Sequence, residues 1–213
     1  MQCTSGQTVT RILSIYKTYS HKTEHIIKTH KDNEPIRPAV NNTLDPSYKI
    51  VKFINKKLNS LLCLPYTYNT KNSQEIANEL ERMEIDKQMK VITLDIKDLF
   101  LNLRIQGFLT TTKFWLNRNI HDNELIKQTL YILEIIMKQN YFQYYGRFLQ
   151  PDKGIAMGSH ISSTMAEVYL QYKEETYGKQ WLESKEIVYC KRYVDDILIT
   201  YNQNKTNKQS ILQ

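Results

Sequence analysis

Two runs rich in β-branched and aromatic residues, EIVYCKRYV and ILITY, flank a pair of adjacent aspartates, Asp195 and Asp196. Runs of this composition read as strands, so the segment is expected to fold as two strands around a tight turn. Neighbouring carboxylates repel and are costly to bury, but at a turn both can reach solvent or a cation. Aspartate also suits turns for a local reason, because its side chain bonds nearby backbone. Taken alone, the Tyr193–Asp196 tetrapeptide leaves a plain acidic bend and a functional site both open.

A second segment narrows the choice. VITLDIKDLF places Asp95 at the end of another short β-branched run, Lys90 to Ile96, with Phe100 shortly after it. If that strand lies beside the Tyr193–Asp196 turn, three carboxylates converge. Such a group raises its own pKa values unless cations neutralise it. Hard divalent ions with oxygen ligands, magnesium above all, do so and keep positions free for substrate phosphates. Two of them roughly 4 Å apart clamp the attacking and leaving oxygens of an in-line phosphoryl displacement. Between the acids lies KGIAMGSHISSTMAEVYL, where Gly154 and Gly158 flank a short turn before a helix. Glycines there allow backbone to approach a ligand closely, although a loop and a helix cap is the plainer reading.

The 213 residues suffice for one sizeable domain or two small ones, and an apolar share of 41% with 11% aromatics excludes wholesale disorder. A formal charge of +7 makes the chain a candidate for a polyanionic partner. Cys3, Cys63 and Cys190 are scattered, so neither a zinc site nor a disulfide framework is indicated. The N-terminus lacks a signal-peptide core, and no segment approaches the ~18 apolar residues needed to span a bilayer. A soluble, intracellular protein without a membrane partner is expected.

Along the chain, a helix is expected from about Thr8 to Ile27, followed by an extended or looped DNEPIRPAVNN. From Ser47 the pattern turns helical, with Ile50, Phe53, Ile54, Leu58, Leu61 and Leu62 on the apolar side and Pro65 ending it. Lys49, Lys52 and Lys56 fall on the opposite face, which reads as a solvated surface or a track for phosphates. Asn72 and Glu75 resemble a helix cap and its returning acid, opening a helix to about Asp86. Residues 123–138 form another amphipathic helix, aromatics on either side of Gly146 signal a hairpin, and Ile161 to about Glu175 is again helical. Few strands, several helices and no βαβα rhythm give an α+β fold.

In order, spacing and identity these pieces resemble the palm of reverse transcriptases: LDIKDLF the first palm motif, GIAMGSHISSTMAE the second, YVDD the third. The chain is similar to the Penelope-like retroelement group, relatives of telomerase reverse transcriptase. IRPAVNNTLDPSYKIVKFINKKL resembles that group's upstream fingers motifs, and LDIKDLFLNLRI its DIKDLYVNIPI pattern. The likeness runs from about residue 34 to 201. It implies a right-hand polymerase palm, an antiparallel sheet with helices packed on one face, with partial fingers and no thumb. The implied division is a polar, helical extension over 1–33, partial fingers over 34–90, a palm over 91–203 and a disordered tail over 204–213.

The activity so implied is RNA-directed DNA polymerisation in a truncated element: a DNA primer 3′-hydroxyl attacks a dNTP on an RNA template, with two magnesium ions or manganese in their place. By the same resemblance Asp95 and Asp195 are the principal metal ligands, Asp196 is accessory, and the backbone carbonyl of Ile96 completes one site. Phe100 falls at the aromatic gate under the sugar, or is a core residue. Met157 and Gly158 lie against the incoming base and template, and Arg37 contacts triphosphate or template backbone. Tyr193 packs near the primer terminus or within the sheet, and Lys49, Lys52 and Lys56 follow template phosphates. His160 and Ser163 depart from a pattern that carries proline at both positions, and His160 has no companion that would make it a metal ligand. A nuclear location follows only by analogy with retroelements. Two other readings stand beside this one: a non-catalytic relic that binds nucleic acid, and an unrelated α+β interaction module.

Overall fold

Strand and helix follow the two periodicities of the sequence. The structure, a computed structural model, describes residues 22–27, 36–41, 47–84, 86–139, 142–144, 147–150, 154–155 and 158–212; the four strands within 22–41 and 142–149 are described as backbone. The chain divides into two compact units, each built from two stretches: residues 1–63 with 100–165, and 64–99 with 166–213. The boundaries expected at 33/34, 90/91 and 203/204 run consecutively along the chain, whereas these units alternate.

The first unit contains a four-stranded sheet of β1 (Lys22–Ile27), β2 (Ile36–Asn41), β4 (Phe142–Tyr144) and β5 (Arg147–Leu149), in the order β2-β1-β4-β5. β1 pairs antiparallel with β2 and parallel with β4, and β4 and β5 form the hairpin expected around Gly146. The helix expected to reach Ile27 is therefore corrected at its end: Lys22–Ile27 is extended and pairs with the IRPAVN segment. Its ladder partner supplies hydrogen bonds that a polar, weakly periodic helix would have had to find internally. The rest of that expectation lies outside the described residues.

Helices α1 (Tyr48–Leu61), α4 (Ile105–Asn119) and α5 (Asn123–Lys138) belong to the same unit. Asp122 caps α5 by accepting from the Glu124 and Leu125 amides, both at 3.0 Å. Phe108, Trp115 and Leu116 of α4 and Leu133 of α5 are fully buried. The expected apolar side of α1 is rotated. Ile50 and Phe53 are each 58% exposed, and Val51 and Leu58 are the buried pair. Half-buried Asn55 shares their side and donates to the His160 carbonyl (2.8 Å), while exposed Asn59 donates to the Thr164 hydroxyl (3.4 Å).

In the second unit β3 (Met89–Asp95), β6 (Ile187–Tyr193) and β7 (Asp196–Asn202) form an antiparallel sheet in the order β3-β7-β6. Side chains alternate between faces along each strand. One face carries Ile92, Leu94, Ile197, Ile199 and Cys190, which pack with Tyr201, Trp181 and Ile211 into a core. Helix α6 (Ser162–Lys173) continues through a π turn (Glu174–Gly178) into α7 (Lys179–Ser184), the source of Trp181. The expected disordered tail is corrected as well. Lys208–Leu212 forms a short helix, α8, because Ile211 has a core to enter and is only 3% exposed. Helix α2 (Ser73–Glu81) opens at Asn72, whose side chain accepts from the Glu75 amide at 3.0 Å. It ends short of Asp86. Glu75 returns to the Lys71 amide (2.9 Å) and the Thr70 hydroxyl (2.8 Å).

Candidate active site

Register decides where the acids lie. β3 and β7 pair without interruption from Met89 opposite Asn202 to Asp95 opposite Asp196. Directly opposed residues of an antiparallel pair share a face, with Cβ atoms about 4.5–5.5 Å apart. Asp95 and Asp196 therefore project together from the end of the sheet, on the face opposite the core, and both are exposed. Val91, Thr93 and Tyr193 share that face and are exposed too, Tyr193 by 52%. Tyr193 is thus no part of the sheet's core.

Tyr193 pairs with Asp196 across the hairpin, which leaves Val194 and Asp195 as a two-residue turn. Such turns take a positive φ at the first central position, and Val194 has φ 56°. For a β-branched residue this costs on the order of 1–3 kcal/mol, so other contacts must hold it. Two do. The Ile96 amide donates to the Asp195 carbonyl at 2.9 Å, fastening the end of β3 to the turn. The Arg192 guanidinium donates to the Val194 carbonyl at 3.1 Å from the core side.

The donors gathered at this end are carboxylate oxygens, with no nitrogen or sulfur among the three residues, which is the set a hard cation takes. Among the described residues no three or more His, Cys, Asp or Glu side chains stand close enough together to cage a metal ion. Magnesium is usually held by one or two carboxylates plus substrate phosphates and waters. An opposed pair beside a third acid fits that habit. At the β6 edge, Glu79 of α2 accepts from the Lys191 ammonium (2.9 Å) and the Tyr189 hydroxyl (2.8 Å), which hold its carboxyl below the usual range. Burial, reinforced by Glu79, pushes the Tyr189 hydroxyl up.

The remaining candidates belong to the first unit. Phe100 is half-buried in a short helix, α3 (Leu99–Asn102), and so is neither a fully buried core residue nor a free ring. Gly154, with φ 82°, lies against the chain itself: a Cβ there would come within 2.8 Å of the Leu101 Cα and of the Phe100 and Leu101 carbonyls. The Ile155 amide donates to the Phe100 carbonyl at 2.9 Å. The close approach expected toward a ligand is, at Gly154, an approach to backbone. Gly158 has φ 103° and is exposed, while Met157 lies outside the described residues. Lys49, Lys52 and Lys56 are exposed on α1, as expected of one polar face. Arg37 stands in β2 opposite Ile26, its side chain outside the described residues. His160 packs edge-on against Tyr48 with centroids 4.6 Å apart, and its buried Nε2 has no hydrogen-bond partner among the described residues.

Residue-by-residue reading of the sequence missed Arg192. It is 2% exposed and bonded to Glu167 and Glu174 of the α6–π segment. The one available signal was the spacing of Glu167, Gln171 and Glu174, which puts three polar groups on one side of a helix.

An antiparallel sheet with helices on one face and acids at one end of the other defines a polymerase palm. The sequence matches the reverse transcriptase (RNA-dependent DNA polymerase) family over residues 8–213, and the chain belongs to that family. No curated protein sequence matches it. Among solved structures it is similar to apo telomerase from Candida tropicalis truncated from its C-terminal domain, at TM-score 0.59 and 13% identity over 91% of this chain and 45% of that one. Telomerase from Candida tropicalis in complex with a TWJ fragment of telomeric RNA matches at TM-score 0.58 and 12% identity, over 93% and 40%. The corresponding Candida albicans complex matches at 0.52 and 13%, over 97% and 43%. The likeness is one of fold, and the chain spans less than half the length of these telomerase chains.

Proposed function

We propose that this chain carries the nucleotidyl-transfer centre of an RNA-directed DNA polymerase from a retroelement of the Penelope-like kind. One observation carries the reading: Asp95 stands opposite Asp196 on the exposed sheet face, with Asp195 in the turn whose carbonyl the Ile96 amide holds. Asp95 and Asp195 would be the principal ligands of two magnesium ions, with manganese a substitute, and Asp196 and the Ile96 carbonyl would assist. When bound, the ions supply positive charge at the attacking and leaving oxygens. The bond formed would join the primer 3′-oxygen to the α-phosphorus of a dNTP; the bond broken is that to pyrophosphate, which leaves, and the hydroxyl proton passes to solvent.

What the chain itself contributes is position and an open surface. Tyr193 on the exposed face would meet the primer end, and exposed Lys49, Lys52 and Lys56 would meet template phosphates, each adding to the salt dependence of binding. Phe100 would limit the sugar, Met157 and Gly158 would meet base and template, and Arg37 the triphosphate. Membership of the reverse transcriptase family supports the substrate class, and the telomerase complex with RNA supports a template of RNA. A nuclear location goes with the retroelement reading.

The test is magnesium-dependent extension of a DNA primer on an RNA template by the chain and by Asp195→Asn. Extension should fall on the order of a thousandfold in the variant. Equal extension by both would sink the assignment. Salt-sensitive RNA binding with no incorporation under magnesium or manganese would favour the alternative, a catalytically inactive relic that binds nucleic acid.

A further inference from the structure

A guanidinium has five N–H donors in a fixed plane, and in Arg192 every one is used. Nε donates to Glu174 Oε1, and Nη2 to Glu174 Oε2 at 3.3 Å. Glu167 takes the next pair, Nη2 to Oε1 at 2.9 Å and Nη1 to Oε2 at 3.2 Å. The fifth N–H, on Nη1, goes to the Val194 carbonyl at 3.1 Å. The carboxylates are braced in their turn. Gln171 donates to Glu167 at 2.6 Å and Asn69 donates to it at 2.9 Å, while the Tyr66 amide donates to Gln171 at 2.8 Å.

The main chain of Arg192 is held as well. Its amide donates to the Tyr68 carbonyl (2.7 Å), and its carbonyl accepts from the Thr70 amide (2.9 Å). Burial alone would lower the pKa of this guanidinium, but the hydrogen bonds and charges of Glu174 and Glu167 raise it overall. Two bidentate forks leave the side chain no freedom, so its last N–H is aimed rather than opportunistic. The target is the carbonyl of Val194, the residue with φ 56°, which immediately precedes Asp195.

We propose that Arg192 is a positioning residue: its fork, anchored on Glu167 and Glu174, fixes the Val194–Asp195 turn and thereby the direction in which the metal-binding acids point. This rests on the polymerase reading above, in which those acids hold divalent ions. The arginine acts from the core side, through the peptide group between Val194 and Asp195. A lysine keeps the charge but has no planar fork, so it satisfies one glutamate at most and releases the turn.

Mn²⁺ binding to the full chain, followed by electron paramagnetic resonance, reads this directly and without turnover. Wild type, Asp195→Asn, Arg192→Lys, Glu174→Gln and the Arg192→Lys/Glu174→Gln double variant are compared, with circular dichroism and Tm measured on each. Asp195→Asn should lose binding. Arg192→Lys and Glu174→Gln should each weaken it about tenfold, the size expected when support of a metal ligand is removed. The double variant should be no weaker than the worse single, because both act on one clamp. Should Arg192→Lys fail to fold, Glu174→Gln and Glu167→Gln carry the test. A lowered Tm with Mn²⁺ affinity within twofold of wild type means a merely structural clamp and overturns the proposal. Wild-type binding by Asp195→Asn, or no binding by wild type, instead overturns the polymerase reading, and the positioning role with it.

Discussion

The two faces of the β3-β7-β6 sheet come from the same three strands yet follow different rules. The inner face alternates Ile92, Leu94, Ile197, Ile199 and Cys190 and is closed by Trp181 and Ile211. The outer face alternates Val91, Thr93, Asp95, Asp196 and Tyr193 and is exposed toward β3 and the hairpin tip. Val91 makes the contrast plain: an apolar β-branched residue on a strand, left 58% exposed. If the outer face receives primer and template, as proposed above, it cannot be covered, and the stability of the sheet has to come from the other side. Arg192 is the exception that joins the faces, a buried charge on the inner side with one N–H holding the turn that carries Asp195.

If the inner face supplies the stability, Ile199→Ala should lower the unfolding free energy by about 2–5 kcal/mol, whereas Thr93→Ala should change it by less than about 0.5 kcal/mol. Denaturant unfolding of both measures the difference, and equal losses would break the contrast. Cysteine chemistry gives a sharper local probe. Burial pushes the Cys190 thiol up to about 11, whereas Cys63 is exposed. Alkylation at neutral pH, mapped by peptide mass, should label Cys63 at least about tenfold faster than Cys190.

The smallest effect concerns Glu79 at the outer edge. Its carboxyl is held below the ordinary glutamate range, with Lys191 the main cause and Tyr189 the second. A lowered carboxyl pKa contributes stability above the unfolded value, lost as pH falls through the folded one. Below about pH 4.5, stability should therefore fall more gently in Glu79→Gln than in wild type, with the curves parallel at neutral pH. Solvent screening keeps the difference small.

These contrasts explain why parts of the chain could be read in advance. β3, β6 and β7 announce themselves through short β-branched runs, and the hairpin through two acids that had to reach solvent. Asn72 and the 123–138 helix follow from local capping and a clear 3.6-residue period. Helix α4 was overlooked because QGFLTTTKFWLNRN mixes three threonines and a glycine among its apolar residues. Thr111 and Thr112 are buried, and the Thr111 hydroxyl bonds the Phe108 carbonyl at 3.0 Å, so polar residues occupy the helix's inner face. The rotation of α1 has a similar origin, since Asn55 and Asn59 find partners that only the folded chain supplies. Arg192 was hidden for the same reason. Its counterions lie on a helical segment whose π turn no periodicity foretells.

The crossing of Gly154 over Phe100 and Leu101 sets a limit on how this protein can change. A single methyl group at residue 154 would press on main chain rather than on a yielding side chain, so the path of Phe100 is dictated from a distant part of the sequence. The anchorage of residue 100 therefore cannot be retuned by small steps at residue 154. If the Phe100 ring limits the sugar, as proposed above, variation in what it admits would have to come from the ring alone.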